Sequence, residues 1–88
     1  MDPATACPAP GPEQAVAAEE ARALVHRALQ TLDLDRRVVF VMAELDGATA
    51  PEIAEALGIP LNTAYSRLRV ARQRFADAVR RLRGGEAR

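Results

Sequence analysis

The stretch Ala50 to Phe75, APEIAEALGIPLNTAYSRLRVARQRF, sets two helical patterns on either side of a Gly-Ile-Pro break. Just before it, Thr49-Ala50-Pro51-Glu52 has the form of a capping box. Thr49 is the N-cap and Glu52 stands three residues on, so that each can satisfy a free backbone N–H, and a helix starts near Ala50. Ile53, Ala54 and Leu57 share one apolar face. Gly58 follows where a chain leaving a helix needs a positive φ, and Ile59 can turn back toward the core. Pro60 suits the opening of a new helix, with Asn62 and Thr63 as its capping candidates, and the apolar period carries that helix to about Leu82. A short helix, a tight turn holding Gly and a longer second helix form a helix-turn-helix pattern. Ala54 sits where the two helices cross closely, and a larger side chain there would push them apart.

At about 100° per residue the second helix sorts into faces. Ala64, Leu68, Ala71, Phe75, Val79 and Leu82 form the stripe expected to face the core. Asn62, Ser66, Arg69, Val70 and Gln73 lie opposite, with Tyr65 at the margin and Arg67, Arg72 and Arg74 on the shoulders. Arginine forms bidentate hydrogen bonds to guanine edges and displaces counterions from phosphates, so this face has the chemistry of a DNA reader. Val70 admits two readings, contact with a thymine methyl or tolerated exposure. Tyr65 also admits two, the edge of the core or the DNA.

Working outward, RRVVFVMAEL (residues 36–45) is apolar enough for a buried helix or a strand. The following Ala43-Glu44-Leu45 and the helical neighbours favour a helix, capped by Asp33 or Asp35 and stopped by Gly47. From Glu13 to Leu32, Val16, Ala17, Ala21, Leu24, Ala28 and Leu32 recur at threes and fours, predicting an amphipathic helix. His26 on that helix has no second histidine beside it and reads as solvated. Residues 1–12, with four prolines, read as a flexible leader or linker, 13–83 as the domain and 84–88 as a tail.

A chain of 88 residues holds one small domain without room for a deep cleft. Of its 43 apolar residues 19 are Ala and three are aromatic, so the core must come from Leu, Val, Ile and two Phe, a composition that favours an all-α fold. The formal charge is zero, but it is unevenly placed. Residues 1–60 carry ten acidic groups against four Arg, a charge of −6, and residues 61–88 carry eight Arg against two acidic groups, a charge of +6. Such polarity points to an anionic partner at the C-terminal end.

The acidic pairs Glu19-Glu20 and Asp33-Asp35 lack a cleft, no Gly-rich phosphate loop is present, and Cys7 with His26 has no scaffold to join them. No catalytic residues, metal ligands or cofactors are expected. A single cysteine, the lack of a long apolar run and the lack of a signal-peptide pattern predict a cytoplasmic protein that does not engage a membrane.

The run from Leu32 to about Leu82 resembles region 4 of extracytoplasmic-function sigma factors, specificity subunits of bacterial RNA polymerase. EIAEALGIP, then Thr63 and Ser66-Arg67-Leu68, are similar to the family's run EIA-x-x-LGIP-x-GTVKSRL-x-RAR. The resemblance implies a small four-helix domain whose last helix enters the major groove of promoter DNA at the minus-35 element. It also implies that the domain rests on the β flap of the polymerase core, with an anti-sigma factor as a further partner class. Ser66 and its neighbours Tyr65, Arg69 and Val70 match positions that face DNA, and Arg67 and Arg72 match family arginines. Asn62 stands where the family has Gly, Tyr65 where it has Lys or Arg, Val70 where it has Arg, and DLDRR where it has PPRQR. The family's region 2 has no counterpart among these residues, so the chain alone is not expected to start transcription.

Two rivals remain. One is a protein-interaction module that binds the flap or an anti-sigma factor and never reads DNA; in the region 4 reading, by contrast, the arginine face is for DNA and a separate apolar surface around Val38, Val41 and the first helix meets those proteins. The other is a response-regulator type helix-turn-helix output domain, which usually dimerises through a further helix.

Overall fold

The computed structural model describes residues 12–86. The expected leader, apart from Pro12, and Cys7 within it lie outside these residues, as does the end of the expected tail. Four helices follow in order: α1 (Pro12–Gln30), α2 (Leu34–Glu44), α3 (Ala50–Leu57) and α4 (Leu61–Glu86), with no strand among the described residues. The helix reading of 36–45 therefore holds. Asp33 is the N-cap that selects it, because its carboxylate accepts from the Arg36 N–H at 3.4 Å and from Arg36 Nη1 at 2.6 Å. The hydrogen bond from the Arg36 side chain holds the Asp33 carboxyl below its ordinary value of 3.8. Gly47, at φ +74°, turns the chain out of α2, and the Ala48 N–H reaches back to the Met42 carbonyl at 2.9 Å.

α4 is the hub, packing against α1, α2 and α3, while α2 also meets α3. The core comprises Leu32, Val39, Phe40, Ile53, Ala54, Ala64 and Ala71, with Leu29, Met42, Ile59 and Phe75 closing its edges. Phe40 of α2 and Phe75 of α4 stack with ring centroids 4.5 Å apart and planes inclined at 29°. Ala64 and Ala71 are fully buried, which lets the neighbouring helices approach α4 closely.

Three expectations change. On α4 the stripe runs Ala64, Leu68, Ala71, Phe75, Ala78, Leu82, with Ala78 buried and Val79 only half-buried. Spacings of four and three alternate along it, so Ala78 takes the place expected of Val79. The helix also continues past Leu82 to Glu86. On α1, Ala28 is buried and Leu24 and Leu29 half-buried, but Val16 is 57% and Val25 41% exposed and Ala17 and Ala21 are exposed. Only the C-terminal part of the expected apolar face is covered. The molecule measures 46 × 45 × 14 Å, little more than one helix thick, so the N-terminal half of α1 projects beyond the shared core.

Candidate nucleic-acid interface

The helix-turn-helix is held by local chemistry at both ends of α3. The Thr49 hydroxyl accepts from the Glu52 N–H at 3.3 Å, and the Glu52 carboxylate accepts from the Thr49 N–H at 2.8 Å, completing the capping box. Gly58 sits at φ +68°, ψ +36°, in the left-handed region. Its N–H bonds to the Glu55 carbonyl at 3.3 Å, and the Ile59 N–H bonds to the Ala54 carbonyl at 3.0 Å. This is the Schellman arrangement, and Ile59 follows it by folding onto the core. A Cβ at Gly58 would meet no side chain or other segment within 4 Å, so backbone conformation and not space requires glycine there. Ala54, only 8% exposed, is a member of the core, and α3 packs against both α4 and α2.

α4 begins at Leu61, and the Ala64 N–H bonds the Pro60 carbonyl at 3.0 Å. Asn62 and Thr63 therefore lie inside the first turn and do not cap the helix. That correction frees the Asn62 side chain, which stands in line with Ser66, Arg69 and Gln73. All four are exposed and fall within about 60° of one another around the helix axis, opposite buried Ala64, Leu68 and Ala71. Thr63, Arg67 and Val70 form one half-buried shoulder at i, i+4 and i+7. Val70 thus belongs to a partly covered shoulder and not to the exposed stripe, and its apolar character is no misfit. Tyr65 is 55% exposed, which removes the core-edge reading of that residue.

Beside the stripe runs an open crevice. Ala48, Thr49 and Ala50 at the start of α3 form one wall, and Asn62, Tyr65, Ser66, Arg69 and Arg72 the other. Arg67, Arg69 and Arg74 have no ion-pair partner among the described residues. Arg72, by contrast, donates from Nε to Glu44 Oε2 at 2.6 Å, joining α4 to the last residue of α2. The remaining ion pairs described, Glu19 with Arg22, Asp33 with Arg36 and Asp77 with Arg80, are exposed links within a helix or its cap. The sequence reading missed Glu44 because its partner is 28 residues away and no local pattern joins them.

Among the described residues no group of acidic, His or Cys side chains could hold a metal ion, and no helix is long and apolar enough to cross a membrane.

Comparison with known proteins agrees with this geometry. Residues 22–75 match the family model described as Sigma-70, region 4. The chain is 35% identical over 71 residues to the ECF RNA polymerase sigma-E factors of Escherichia coli (strain K12) and Salmonella typhimurium (strain LT2). It is 32% identical over 71 residues to the RNA polymerase sigma-H factor of Pseudomonas aeruginosa. Each of these matches covers 81% of this chain and 37% of the relative, so the chain spans well under half the length of the relatives it matches. With a capped α3, a glycine turn and the arginine-bearing first part of α4 inside the matched segment, the chain belongs to the sigma-70 region 4 family.

Proposed function

We propose that this chain is the promoter-reading part of an extracytoplasmic-function sigma factor, acting in the cytoplasm as a DNA-binding component of transcription initiation and not as an enzyme. Residues 13–83 form its working domain, and α4 carries on from there to Glu86. The observation that carries the reading is the exposed stripe Asn62, Ser66, Arg69 and Gln73, set opposite the buried alanines of α4 and presented by a helix-turn-helix. Inserted in the major groove of the minus-35 element, Asn62 can pair with adenine, Arg69 with guanine, and Ser66 and Gln73 with either flank. Tyr65 lies against the sugar or base edge at the crevice. Thr63 and Val70 border the groove, and Arg67, Arg72 and Arg74 meet phosphates. Promoter DNA is one partner. The RNA polymerase core is another, through its β flap, and an anti-sigma factor competes for an apolar surface around half-buried Val38 and Val41 of α2 and the first helix.

Selection from a random duplex pool at about 50 mM salt, where phosphate attraction is strong, tests the reading. An enriched motif is expected, with a log–log salt slope of about −4 for some four phosphate contacts. Arg69→Ala should cost about 1 to 3 kcal/mol on the preferred sequence and far less on others, whereas Arg72→Ala should weaken all sequences alike. No enrichment and no duplex binding would overturn the DNA reading in favour of an interaction module.

A further inference from the structure

Arg72 differs from the other arginines beside the crevice in being held by another helix. Its Nε gives one hydrogen bond to Glu44, and its two terminal amino groups have no acceptor among the described residues. Both side chains remain open to solvent, Arg72 at 57% and Glu44 at 38%. Glu44 itself stands on a firm mount. It closes α2, whose Val39 and Phe40 are buried and whose Phe40 stacks on Phe75 one turn beyond Arg72, and the Leu45 and Asp46 N–H groups both return to the Val41 carbonyl. A carboxylate on a surface that approaches DNA repels phosphates, so its presence needs an offsetting benefit. An exposed ion pair contributes little to stability. The pair does, however, fix a long side chain whose freedom would otherwise be lost on binding, and it leaves the amino edge of the guanidinium available.

We propose that Glu44 is a positioning residue for phosphate recognition. It holds the Nε edge of Arg72 so that the two terminal amino groups are set to receive a backbone phosphate of the duplex. The inference rests on the DNA-binding reading given above.

The sign of a substitution separates this role from simple charge. The test measures binding of the 88-residue chain to a short labelled duplex of mixed sequence at about 50 mM salt, where phosphate contacts dominate. Glu44→Ala should weaken binding about 2- to 5-fold, the range of an exposed ion-pair coupling, although it removes a negative charge. Glu44→Gln, whose amide oxygen can still accept from Nε, should bind at least as well as the wild type. In an Arg72→Ala background, Glu44→Ala should cost nothing, because there is no guanidinium left to position. Melting of the DNA-free variants checks that folding is retained, and the Gln variant decides the matter if the Ala variant unfolds. Binding by Glu44→Ala equal to or tighter than wild type, a loss by Glu44→Gln equal to that of Glu44→Ala, or a loss that persists without Arg72 would overturn the proposal alone. A wild-type chain that does not bind the duplex would overturn the DNA reading and the proposal with it.

Discussion

Replacing Phe75 with alanine removes the ring that fastens α4 to α2 just beyond the candidate interface. A fully buried Phe→Ala change costs about 3 to 5 kcal/mol, but Phe75 is half-buried, so about 1.5 to 3 kcal/mol is expected. A helical chain of this size holds about 4 to 13 kcal/mol in reserve, so the variant should fold and remain measurable. The corresponding fall in Tm is about 6 to 24 °C, followed by far-UV circular dichroism without DNA. Area alone would give much of that loss, so the stacking itself needs a double-mutant cycle with Phe40→Leu. Rings with centroids 4.5 Å apart and planes at 29° should show a coupling of about 0.5 to 1.5 kcal/mol beyond burial. Strict additivity of the two substitutions would refute the stack, and an unchanged Tm for Phe75→Ala would refute the packing of α4 on α2.

The other elements give sharper local tests. Thr49→Ala should cost about 1 kcal/mol in urea unfolding by opening the capping box, while Thr49→Ser should stay near wild type; equal losses would show that the hydroxyl bond is not what matters. Ala54→Leu should cost about 1 to 3 kcal/mol by overpacking the α3–α4 crossing, and an unchanged Tm would mean that the helices do not cross closely there. Because the folded-state value of Asp33 is lowered, its contribution is complete above the ordinary carboxylate value and is lost as pH falls through the lowered one. Wild type should therefore lose stability relative to Asp33→Asn on acidification below about pH 4, since asparagine caps equally well and does not titrate; parallel pH profiles would contradict this.

What could be read in the sequence was what local chemistry writes there. Thr49, Glu52 and Gly58 each act on backbone groups within a few residues, so the boundaries of α3 and the turn were legible. For α2 the sequence offered Asp33 or Asp35 as the cap, and the helix was read from Ala43-Glu44-Leu45 and the helical neighbours, because the apolar run alone suited a helix or a strand; the structure selects Asp33. The choice between Ala78 and Val79 was not local. Both follow Phe75 at helical spacing, and hydrophobicity favours valine, but α4 also packs against α1, whose buried residue is again an alanine, Ala28. Close approach between helices selects small side chains, which a hydrophobicity pattern undervalues. The bare N-terminal half of α1 was equally hidden, because an apolar stripe states what could be covered and not what covers it. At the interface, the faces of α4 came from periodicity, whereas the hold of Glu44 on Arg72 depends on where α2 ends in space.

On the proposed DNA-binding reading, geometry also decides which arginines can share in recognition. From Asn62 to Gln73 is about 17 Å along the helix axis at 1.5 Å per residue, and a major groove about 12 Å wide accepts roughly that length when the helix lies obliquely. Arg80 stands about 27 Å from Asn62 by the same rise, beyond the groove. It is also paired with Asp77. At physiological salt a charge is screened over about 8 Å, so Arg80, Arg81 and Arg83 act weakly on phosphates near Asn62. The basic excess of residues 61–88 therefore does not serve one purpose. Its proximal part lies inside the segment that matches region 4, which ends at Phe75, where the stack on Phe40 fixes the helix. Beyond that point α4 buries Ala78 and leaves Arg80, Arg81 and Arg83 exposed. On the proposed reading the two parts are coupled, because they share one rigid helix and the packing of its distal part would fix the angle at which the proximal stripe enters a groove.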